Sequence, residues 1–481
     1  MTTPRSLRSA ILSTALHDLA IGGTPPEARH VFTPPGHRRA LRPNVALVVG
    51  TRGAGKTFWS SALRDPNVRK LLGHVANVGL EGVDVDVGHA ERPDPDRYPD
   101  DERLATFGQD TDPSTVWRAV VVRWYERILG TATTDASWLD SIEQVARDPE
   151  AYARLADRAN AHLHDTGRHA LLVFDALDRI GHDWRTRAAS TKGLLQVVLQ
   201  LRSYERLHAK VFLREDALDR TETTAFPDAS KLLAERAELE WSSLDLHGLL
   251  WQYLLNAEEP HGSCLRRHFT SVVEREPERP GRELWTLPNS VRSHEPSLKA
   301  LFESLAGPWM GANHRRGATF PWIVTHLADA NGRTAPRPFL RAIGVAAERT
   351  DERTPEHERT LHVEAIKAGV QAASRGRVDE LLEDHAWAAD PMRTLEGLNV
   401  PCTFDDVVAR WHDRLGLHPP DTIVAALPPN EANLGWAGVR EALERIGVFE
   451  RLRDGRVNLP DLYRVGLSIG RKGGVRPVVR R

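Results

Sequence analysis

Eight consecutive residues, from Gly50 to Thr57, have the types and spacing of a phosphate-binding loop. They match the pattern G-x-x-x-x-G-K-[ST], known as Walker A, in full. Its glycines let successive backbone N–H groups surround phosphate oxygens, its lysine reaches the β- and γ-phosphates, and its hydroxyl binds Mg²⁺. The motif therefore predicts that ATP and Mg²⁺ are bound by Gly50, Thr51, Arg52, Gly53, Ala54, Gly55, Lys56, Thr57 and the next residue, Phe58.

A carboxylate at the end of a second buried strand is needed to complete the Mg²⁺ site, because Mg²⁺ prefers hard oxygen ligands. Asp175 ends the apolar run Leu171–Phe174 and is predicted to bind the metal together with Thr57. Asp178 could orient or deprotonate the attacking water, although a helix cap or a partner for Arg179 is the alternative. Many active ATPases place a glutamate directly after the metal-binding acid; this chain has none, so slow hydrolysis is expected.

Two arginines are candidates for contacts with the phosphates. Arg214 ends a predicted apolar strand, where its guanidinium could bind the γ-phosphate and distinguish ATP from ADP. A salt bridge to Glu215, Asp216 or Asp219 is the alternative. Arg337 opens a predicted helix and could reach back to the nucleotide, but an ordinary structural role explains it equally well. The predicted catalytic residues are Lys56, Asp175, Asp178 and Arg214.

Short apolar runs predict the strands that must position these residues. Asn44–Val49 leads into the Walker A loop and His169–Asp175 ends at the acid, as buried parallel strands do. Further strands are expected at His74–Leu80, Ala209–Leu213 and Arg236–Trp241, with helices between them. Parallel sheets bind ligands at the carboxyl ends of their strands, where the candidate residues fall. The fold class is therefore predicted to be α/β, with a parallel-sheet P-loop core.

Beyond the core, helical patterns such as Pro321–Asp329 and Pro336–Ala347 predict a lid, and the charged stretch Arg349–Arg359 is typical of a linker. A helix at Gly438–Ile446 precedes Asp454–Gly455, which lies between apolar segments and indicates a β-hairpin. This order favours a winged-helix-like domain; a terminal hairpin without winged-helix character is the alternative.

We predict five regions along the chain. They are a lead-in helix and base-side segment (1–42), a P-loop core (43–256) with an acidic insertion (81–115), a helical lid (257–348), a helical linker region (349–395), and a winged-helix-like domain with a basic tail (396–481). The insertion is rich in Gly, Asp and Pro and is expected to be a flexible loop. The base-side segment could contact the base of the nucleotide or simply lead into the core.

Composition limits the class of protein. A length of 481 residues favours two or three domains, and a net charge of -2 gives no overall attraction to nucleic acid or anionic membranes. Cys264 and Cys402 are too few for a disulfide framework or a four-cysteine zinc site. The N-terminus lacks the apolar run of a signal peptide, and no stretch approaches the roughly 20 apolar residues of a membrane helix. We therefore expect a cytoplasmic protein without a membrane partner.

Residues 44 to about 345 resemble the STAND group of signal-transduction ATPases and the related KAP ATPases, which belong to the AAA+-related ASCE division of P-loop proteins. Val173–Arg179 resembles their D-x-L-D form of Walker B, Val211–Arg214 their strand-end arginine, and Leu239–Leu246 their fifth strand and following helix. The resemblance implies a helical lid, a winged helix and a nucleotide-dependent switch in bacterial signalling or anti-phage defence. The expected partner is a second copy of the chain or a protein effector.

Two other functions fit the same pattern. AAA+ loaders such as the origin-recognition proteins also combine a P-loop core, a lid and a winged helix. In a loader, the wing and the basic tail Arg471–Arg481 would contact DNA phosphates, although such a tail is more often only solvated. A scaffold that binds ATP without turning it over is the other alternative.

Overall fold

The computed structural model describes residues 3–16, 24–132, 136–181, 183–218, 221–280 and 284–471. The chain divides into two compact units. The first, called the sheet unit here, comprises Ala20–Ala28 and Thr33–Glu240, and the second, the helical unit, comprises Met1–Leu19, Arg29–Phe32 and Trp241–Arg481. Most of the predicted basic tail, from residue 472 onward, lies outside the described residues. The finer domain boundaries given above remain predictions.

The sheet unit is built around a parallel sheet, as predicted. Its strands are β1 (Leu47–Gly50), β2 (Val83–His89), β3 (His169–Phe174), β4 (Leu207–Arg214) and β5 (Ala237–Glu238). Their order across the sheet is β2-β3-β4-β1-β5, and each neighbouring pair is parallel. β1 is buried at every residue, which explains its continuous apolar sequence.

Helices connect these strands and pack against them. The α-helices up to residue 240 are α1 (Pro4–Ser13), α2 (His37–Leu41), α3 (Lys56–Arg64), α4 (Pro66–Ala76), α5 (Asp101–Asp110), α6 (Pro113–Leu129), α7 (Trp138–Arg147), α8 (Pro149–Asp165), α9 (Trp184–Leu201), α10 (Glu215–Leu218), α11 (Thr221–Thr224) and α12 (Ala229–Ala234). Of these, α1 belongs to the helical unit. α3 contacts β1 and β4, while α6 and α9 pack together in the main core of the sheet unit.

The second strand does not lie where the sequence predicted it. The prediction of a strand at His74–Leu80 is wrong, because α4 continues as far as Ala76. β2 lies instead within residues 81–115, and α5 lies there too. This segment therefore contains ordered elements of the core rather than the flexible loop that we predicted.

β2 forms one edge of the sheet and carries carboxylates, which explains why its sequence resembles a loop. Asp84 and Asp86 alternate with valines along the strand. Arg168 pairs with Asp84, and Arg127 Nε lies 2.8 Å from Asp86 Oδ2. Charges on an edge strand also discourage it from pairing with another molecule.

The helical unit contains the remaining elements. Its helices after residue 240 are α13 (Ser243–Leu255), α14 (His261–Val273), α15 (Asn289–Arg292), α16 (Glu295–Ala306), α17 (Thr319–His326), α18 (Pro336–Arg353), α19 (Val363–Asp384), α20 (Ala389–Arg393), α21 (Phe404–Leu415), α22 (Asp421–Val424), α23 (Pro429–Ala432), α24 (Trp436–Arg445) and α25 (Asp461–Arg464). Its strands are β6 (Asn399–Val400), β7 (Glu450–Arg451), β8 (Val457–Asn458) and β9 (Gly470–Arg471). Both helices predicted for the lid are present, as α17 and α18. No helix in the described part of the chain is long and apolar enough to span a membrane.

The charged stretch after residue 349 lies within the helical unit. Its first part belongs to α18, which packs along α19. The guanidinium of Arg8, fully buried, donates to the backbone oxygens of Thr360 (3.0 Å), Pro355 (2.8 Å) and Arg359 (3.2 Å). The stretch therefore binds the buried Arg8 side chain and so helps to hold α1 against the rest of this unit.

The C-terminal part of the helical unit has the predicted winged-helix arrangement. α21 and α24 precede an antiparallel hairpin of β7 and β8. Cys402, just after β6, forms an antiparallel bridge with Val457, so the segment before α21 joins the hairpin. The hairpin turn contains Gly455 with φ 83°, a conformation that glycine adopts without steric cost.

Candidate phosphate-binding site

The Walker A residues form a loop between β1 and α3, the context that the motif requires. Gly53 and Gly55 have φ angles of 80° and 106°, which other residues rarely adopt. A Cβ at Gly50 would lie 3.1 Å from the Cβ atoms of both Ala54 and Leu239. The loop therefore needs glycine for its backbone path and for its close packing on β1.

The start of α3 differs from the starts of the helices that follow it. Gly55, the N-cap of α3, makes no side-chain hydrogen bond. Each of α4 to α9 begins instead with an Asp or Ser whose side chain accepts from a backbone N–H of the first turn. The first N–H groups of a helix have no partner within the helix, and the dipole makes that end positive. The start of α3 is therefore suited to bind an anion.

Lys56 lies over this loop and bonds to its backbone. Its Nζ donates to the carbonyl oxygens of Gly50 at 3.0 Å and Thr51 at 2.9 Å. Burial, and then repulsion from Arg214, lowers the pKa of Lys56 to about 8. A buried ammonium that bonds to neutral carbonyls still gains from an anionic partner.

Asp175 directly follows β3 and is 3% exposed. Burial raises the pKa of its carboxyl group, while hydrogen bonds from the Ala176 N–H and the Thr57 hydroxyl, and attraction to Lys56, act in the opposite direction. The effect of the Thr57 hydroxyl on the Asp175 pKa places the two predicted Mg²⁺ ligands beside each other. Both are hard oxygen donors, so the pair fits a Mg²⁺ ion that also takes ligands from phosphate and water.

The turn after Asp175 is strained. Ala176 has φ 59° and ψ 29°, a left-handed conformation that is uncommon for a residue with a Cβ atom. Strain of this kind persists where the surrounding structure imposes it, often at functional sites. The alanine thus stands in a constrained position directly beside the predicted metal ligand.

Arg214 lies between the Walker A loop and Asp175, because β4 separates β1 from β3 in the sheet. It is the register partner of Gly50. Its Nε and Nη2 lie 2.9 Å and 3.1 Å from the carboxylate oxygens of Asp216, and its Nη1 lies 3.7 Å from Asp178. The salt-bridge alternative thus describes the arrangement seen here, while Asp219 lies outside the described residues. Contact of Arg214 with a γ-phosphate remains a prediction.

Asp178 lies in a short 3₁₀ turn after Asp175. Arg179, the partner considered for Asp178, pairs with Glu91 at 2.9 Å, while Asp178 lies 3.7 Å from Arg214. The pKa of Lys56 responds, after burial, to Arg214, Asp178, Asp175 and Asp216. Two cations and three carboxylates therefore form one electrostatic cluster at this edge of the sheet.

His89, at the end of β2, is a residue that the sequence did not point to. Its ring is 1% exposed, with Nδ1 2.7 Å from the backbone oxygen of Asp175 and Nε2 2.9 Å from Asp101 Oδ1. The Asp175 N–H in turn donates to the His89 oxygen at 2.9 Å. These bonds fix the backbone at Asp175. The two residues are 86 positions apart, so only the pairing of β2 with β3 reveals the contact.

The predicted base-side segment is bonded to α3. Trp59 Nε1 donates to His37 Nδ1 at 3.1 Å, which leaves His37 Nε2 to donate to the Glu240 oxygen at 3.0 Å. Both rings are buried. The segment is therefore attached to the helix that begins with Lys56, but its contact with a base remains a prediction.

The remaining candidates are less closely tied to the cluster. Phe58 packs edge-on against Trp59, with ring centroids 4.9 Å apart, so its side chain contributes packing. Arg337 belongs to the helical unit, where its Nη1 lies 3.2 Å from Glu380 Oε1. A contact between Arg337 and nucleotide stays a prediction.

Comparison with known proteins gives little beyond this geometry. No family model matches the sequence, and no curated protein matches it either. The chain is similar to the Aeropyrum pernix ORC1 protein in complex with DNA, with 14% identity, a TM-score of 0.36 and coverage of 96% of both chains. It is also similar to the Aeropyrum pernix ORC2 protein in its ADPNP–ADP complexes, with 13% identity, a TM-score of 0.40 and coverage of 87% of this chain and 84% of the other. Similarity of this size assigns neither a family nor an activity, and the STAND resemblance remains a prediction.

Proposed function

We propose that this chain is an ATPase that binds ATP with Mg²⁺ at the carboxyl edge of the sheet. The observation that carries the proposal is the position of the Thr57 hydroxyl beside the buried carboxyl group of Asp175 and near the ammonium of Lys56, as their effects on one another's pKa require. The Thr57 hydroxyl, at the start of α3, and the Asp175 carboxylate, after β3, lie together beside the backbone N–H groups of the Walker A loop. This combination fits a metal–phosphate ligand better than an isolated anion.

The residues would act in distinct ways. Lys56 exchanges its bonds to neutral carbonyls for bonds to the β- and γ-phosphates, and the first N–H groups of α3 bind phosphate oxygens. Thr57 and Asp175 would hold Mg²⁺, and the bound ion would supply positive charge beside the phosphates. Arg214 contacts the γ-phosphate.

We propose that hydrolysis is slow. The position after Asp175 is an alanine, so no carboxylate stands there to activate water. Asp178 is the candidate for that task, but its carboxylate also faces Arg214. A long-lived ATP state suits a switch, in which elements held by the γ-phosphate separate after hydrolysis. The partner would be a second copy of the chain or a protein effector, in bacterial signalling or anti-phage defence as the STAND resemblance suggests.

The test is binding of a non-hydrolysable ATP analogue to wild type and Lys56→Ala, with particle mass measured in the same samples. Lys70→Ala is the matched control, because Lys70 is exposed on α4. We expect Lys56→Ala to weaken binding by about 100-fold or more, since charge-assisted bonds to two phosphates are lost. Equal affinity in all three proteins would contradict the site. A separate incubation with ATP itself measures phosphate release, and tight binding of ATP by wild type without phosphate release would favour the scaffold.

A second candidate function is DNA binding, as in a loader. The winged-helix arrangement favours it, and the similar ORC1 structure is a complex with DNA. The arginines of the wing region are, however, largely paired: Arg445 with Glu431 at 2.7 Å, and Arg451 with Glu444 at 2.9 Å. Free positive charge for DNA would therefore come mainly from the basic tail.

The loader function predicts a steep salt dependence of DNA affinity, because each neutralised phosphate releases counterions. The measurement is DNA binding by wild type and by a variant with Lys472, Arg476, Arg480 and Arg481 changed to alanine, over a range of salt concentrations. A shallower slope in the variant supports the loader. Absence of binding at low salt leaves the switch as the better proposal.

A further inference from the structure

Asp216 makes a close, two-point ionic contact with Arg214. Two parallel bonds of 2.9 Å and 3.1 Å join the guanidinium Nε and Nη2 to the two carboxylate oxygens. The side chains of Arg214 and Asp216 are only 14% and 21% exposed, so solvent weakens this pair less than an ordinary surface ion pair. Asp216 lies in the first turn of α10, immediately after β4.

Carboxylate and phosphate compete for the same face of a guanidinium. Both present two oxygens at a spacing that matches parallel N–H donors, and Arg binds each in a bidentate manner. Arg214 adjoins Gly50 in the sheet, and the charges of Arg214 and Asp216 both act on Lys56. The pair therefore lies beside the loop where the phosphates are proposed to bind.

We propose that Asp216 is a specificity-determining residue of this site, because its carboxylate occupies the edge of Arg214 that the γ-phosphate would use. This inference rests on the proposed function. ATP must displace the carboxylate to reach Arg214, whereas ADP has no γ-phosphate and leaves the pair intact. Asp216 thus lowers the affinity for ATP relative to ADP and raises the concentration ratio at which the protein enters its ATP state.

The test measures affinities for a non-hydrolysable ATP analogue and for ADP, each with Mg²⁺, in wild type and Asp216→Asn. The amide keeps the size of the side chain but removes the charge that holds the guanidinium. We expect the ratio of ATP affinity to ADP affinity to rise by about tenfold, equivalent to ~1.4 kcal/mol, with ADP affinity nearly unchanged. A ratio that stays the same or falls overturns the proposal.

A double-mutant cycle separates direct competition from a general change of charge. In an Arg214→Ala background, Asp216→Asn should leave the ratio unchanged, because no guanidinium remains to be released. Asp228→Asn is the matched control, since Asp228 is an exposed aspartate of the same unit that pairs with Lys231. An equal rise in the Arg214→Ala background or in the control would contradict the mechanism.

Two further outcomes keep the inference distinct from the proposed function. If wild type binds neither nucleotide, the proposed function fails before Asp216 is tested. If wild type binds both and the ratio does not respond to Asp216→Asn, only this inference fails. Asp216→Ser provides a second variant if the asparagine protein does not fold, and it should raise the ratio in the same direction.

Discussion

At the carboxyl edge of the sheet, the ammonium of Lys56 bonds to two neutral carbonyls, whereas in the wing the guanidinium of Arg451 bonds to the carboxylate of Glu444. The first cation is buried and forms no ion pair with a carboxylate in the described part of the chain. The second is half exposed and already neutralised. A ligand phosphate therefore gains more at the sheet edge than at the wing. Whether a cation already has an anionic partner therefore indicates where an anionic ligand binds more clearly than the number of basic residues in a region does.

The largest expected effect comes from changing the proposed metal ligand at the sheet edge, Asp175. Asp175→Asn should reduce phosphate release by about 10³-fold, or ~4 kcal/mol, because the amide binds Mg²⁺ poorly and the charge on the phosphates is less well neutralised. The measurement is single-turnover phosphate release with the protein in excess over ATP and at a concentration high enough to bind all of it. Arg451→Ala should release phosphate at the wild-type rate, and a comparable loss in that variant would break the comparison.

A second buried lysine sharpens the comparison. Lys210 is fully buried, with a pKa lowered to about 7 by burial, and its Nζ donates to the backbone oxygens of Ala40 (2.7 Å) and Arg42 (3.0 Å) before β1. Lys210→Met leaves these buried oxygens without a donor, so unfolding free energy should fall by about 3 kcal/mol in chemical denaturation. Nucleotide affinity of the folded protein should not change. A large loss of nucleotide affinity in Lys210→Met would show that Lys210 also contributes to the nucleotide site, which would contradict its assignment as a purely structural lysine.

The helical unit contains a buried group that is kept neutral. His247 donates from Nε2 to the Phe320 oxygen at 3.1 Å and is packed among Phe302, Phe320 and Phe339. Burial lowers its pKa from 6.5 to about 3. Between these two pKa values, His247 binds a proton in the unfolded chain but not in the folded unit. The free energy of unfolding therefore decreases as the pH falls from 6.5 towards 3.

This group should contribute a slope of up to ~1.4 kcal/mol per pH unit in that range. Hydrogen exchange of α13 amides, followed from about pH 6 to about pH 4, measures the loss once intrinsic exchange rates are corrected. His247→Gln keeps an N–H donor but does not titrate, so its pH slope should be shallower. An unchanged slope would mean that His247 is not the buried acid-sensitive group.

The smallest effect is expected in the wing. Arg451→Ala removes an ion pair with Glu444 in which the arginine side chain is 49% exposed. Such pairs contribute at most about 1 kcal/mol and are screened by salt. Thermal unfolding at low and high salt measures the change, which should shrink at high salt. A loss comparable to that of Lys210→Met would contradict the view that the wing charges are ordinary surface pairs.

Sequence patterns predicted the parts of the site that depend on local order. The strand, glycine loop and helix around Lys56 are adjacent in the chain, so their arrangement follows from backbone geometry alone. The strand ending at Asp175 was also predicted, because a buried parallel strand is continuously apolar. These two segments bring Lys56, Thr57 and Asp175 together.

Most of the contacts that the sequence did not predict are between residues far apart in the chain. β2 was taken for a loop because Asp84 and Asp86 interrupt its valines, and their arginine partners come from other elements. His89 was missed with it. The pairing of Arg214 with Asp216 was one of several alternatives, since spacing along the chain does not select among neighbouring acids. Which acidic residue an arginine pairs with depends on tertiary packing.

The position of β2 in the sheet determines whether residues 81–115 can be deleted from the protein. Residues 81–115 have the composition of a dispensable insertion, yet they supply the strand that covers the outer edge of β3. Deleting them would expose the backbone N–H and C=O groups of the apolar strand Leu171–Phe174 to pairing with another copy, so aggregates rather than a shorter folded protein would be produced. Among homologues, the sequence of this segment should vary, but its length around β2 should stay nearly constant. Surface loops tolerate insertions and deletions, whereas a strand of the core does not.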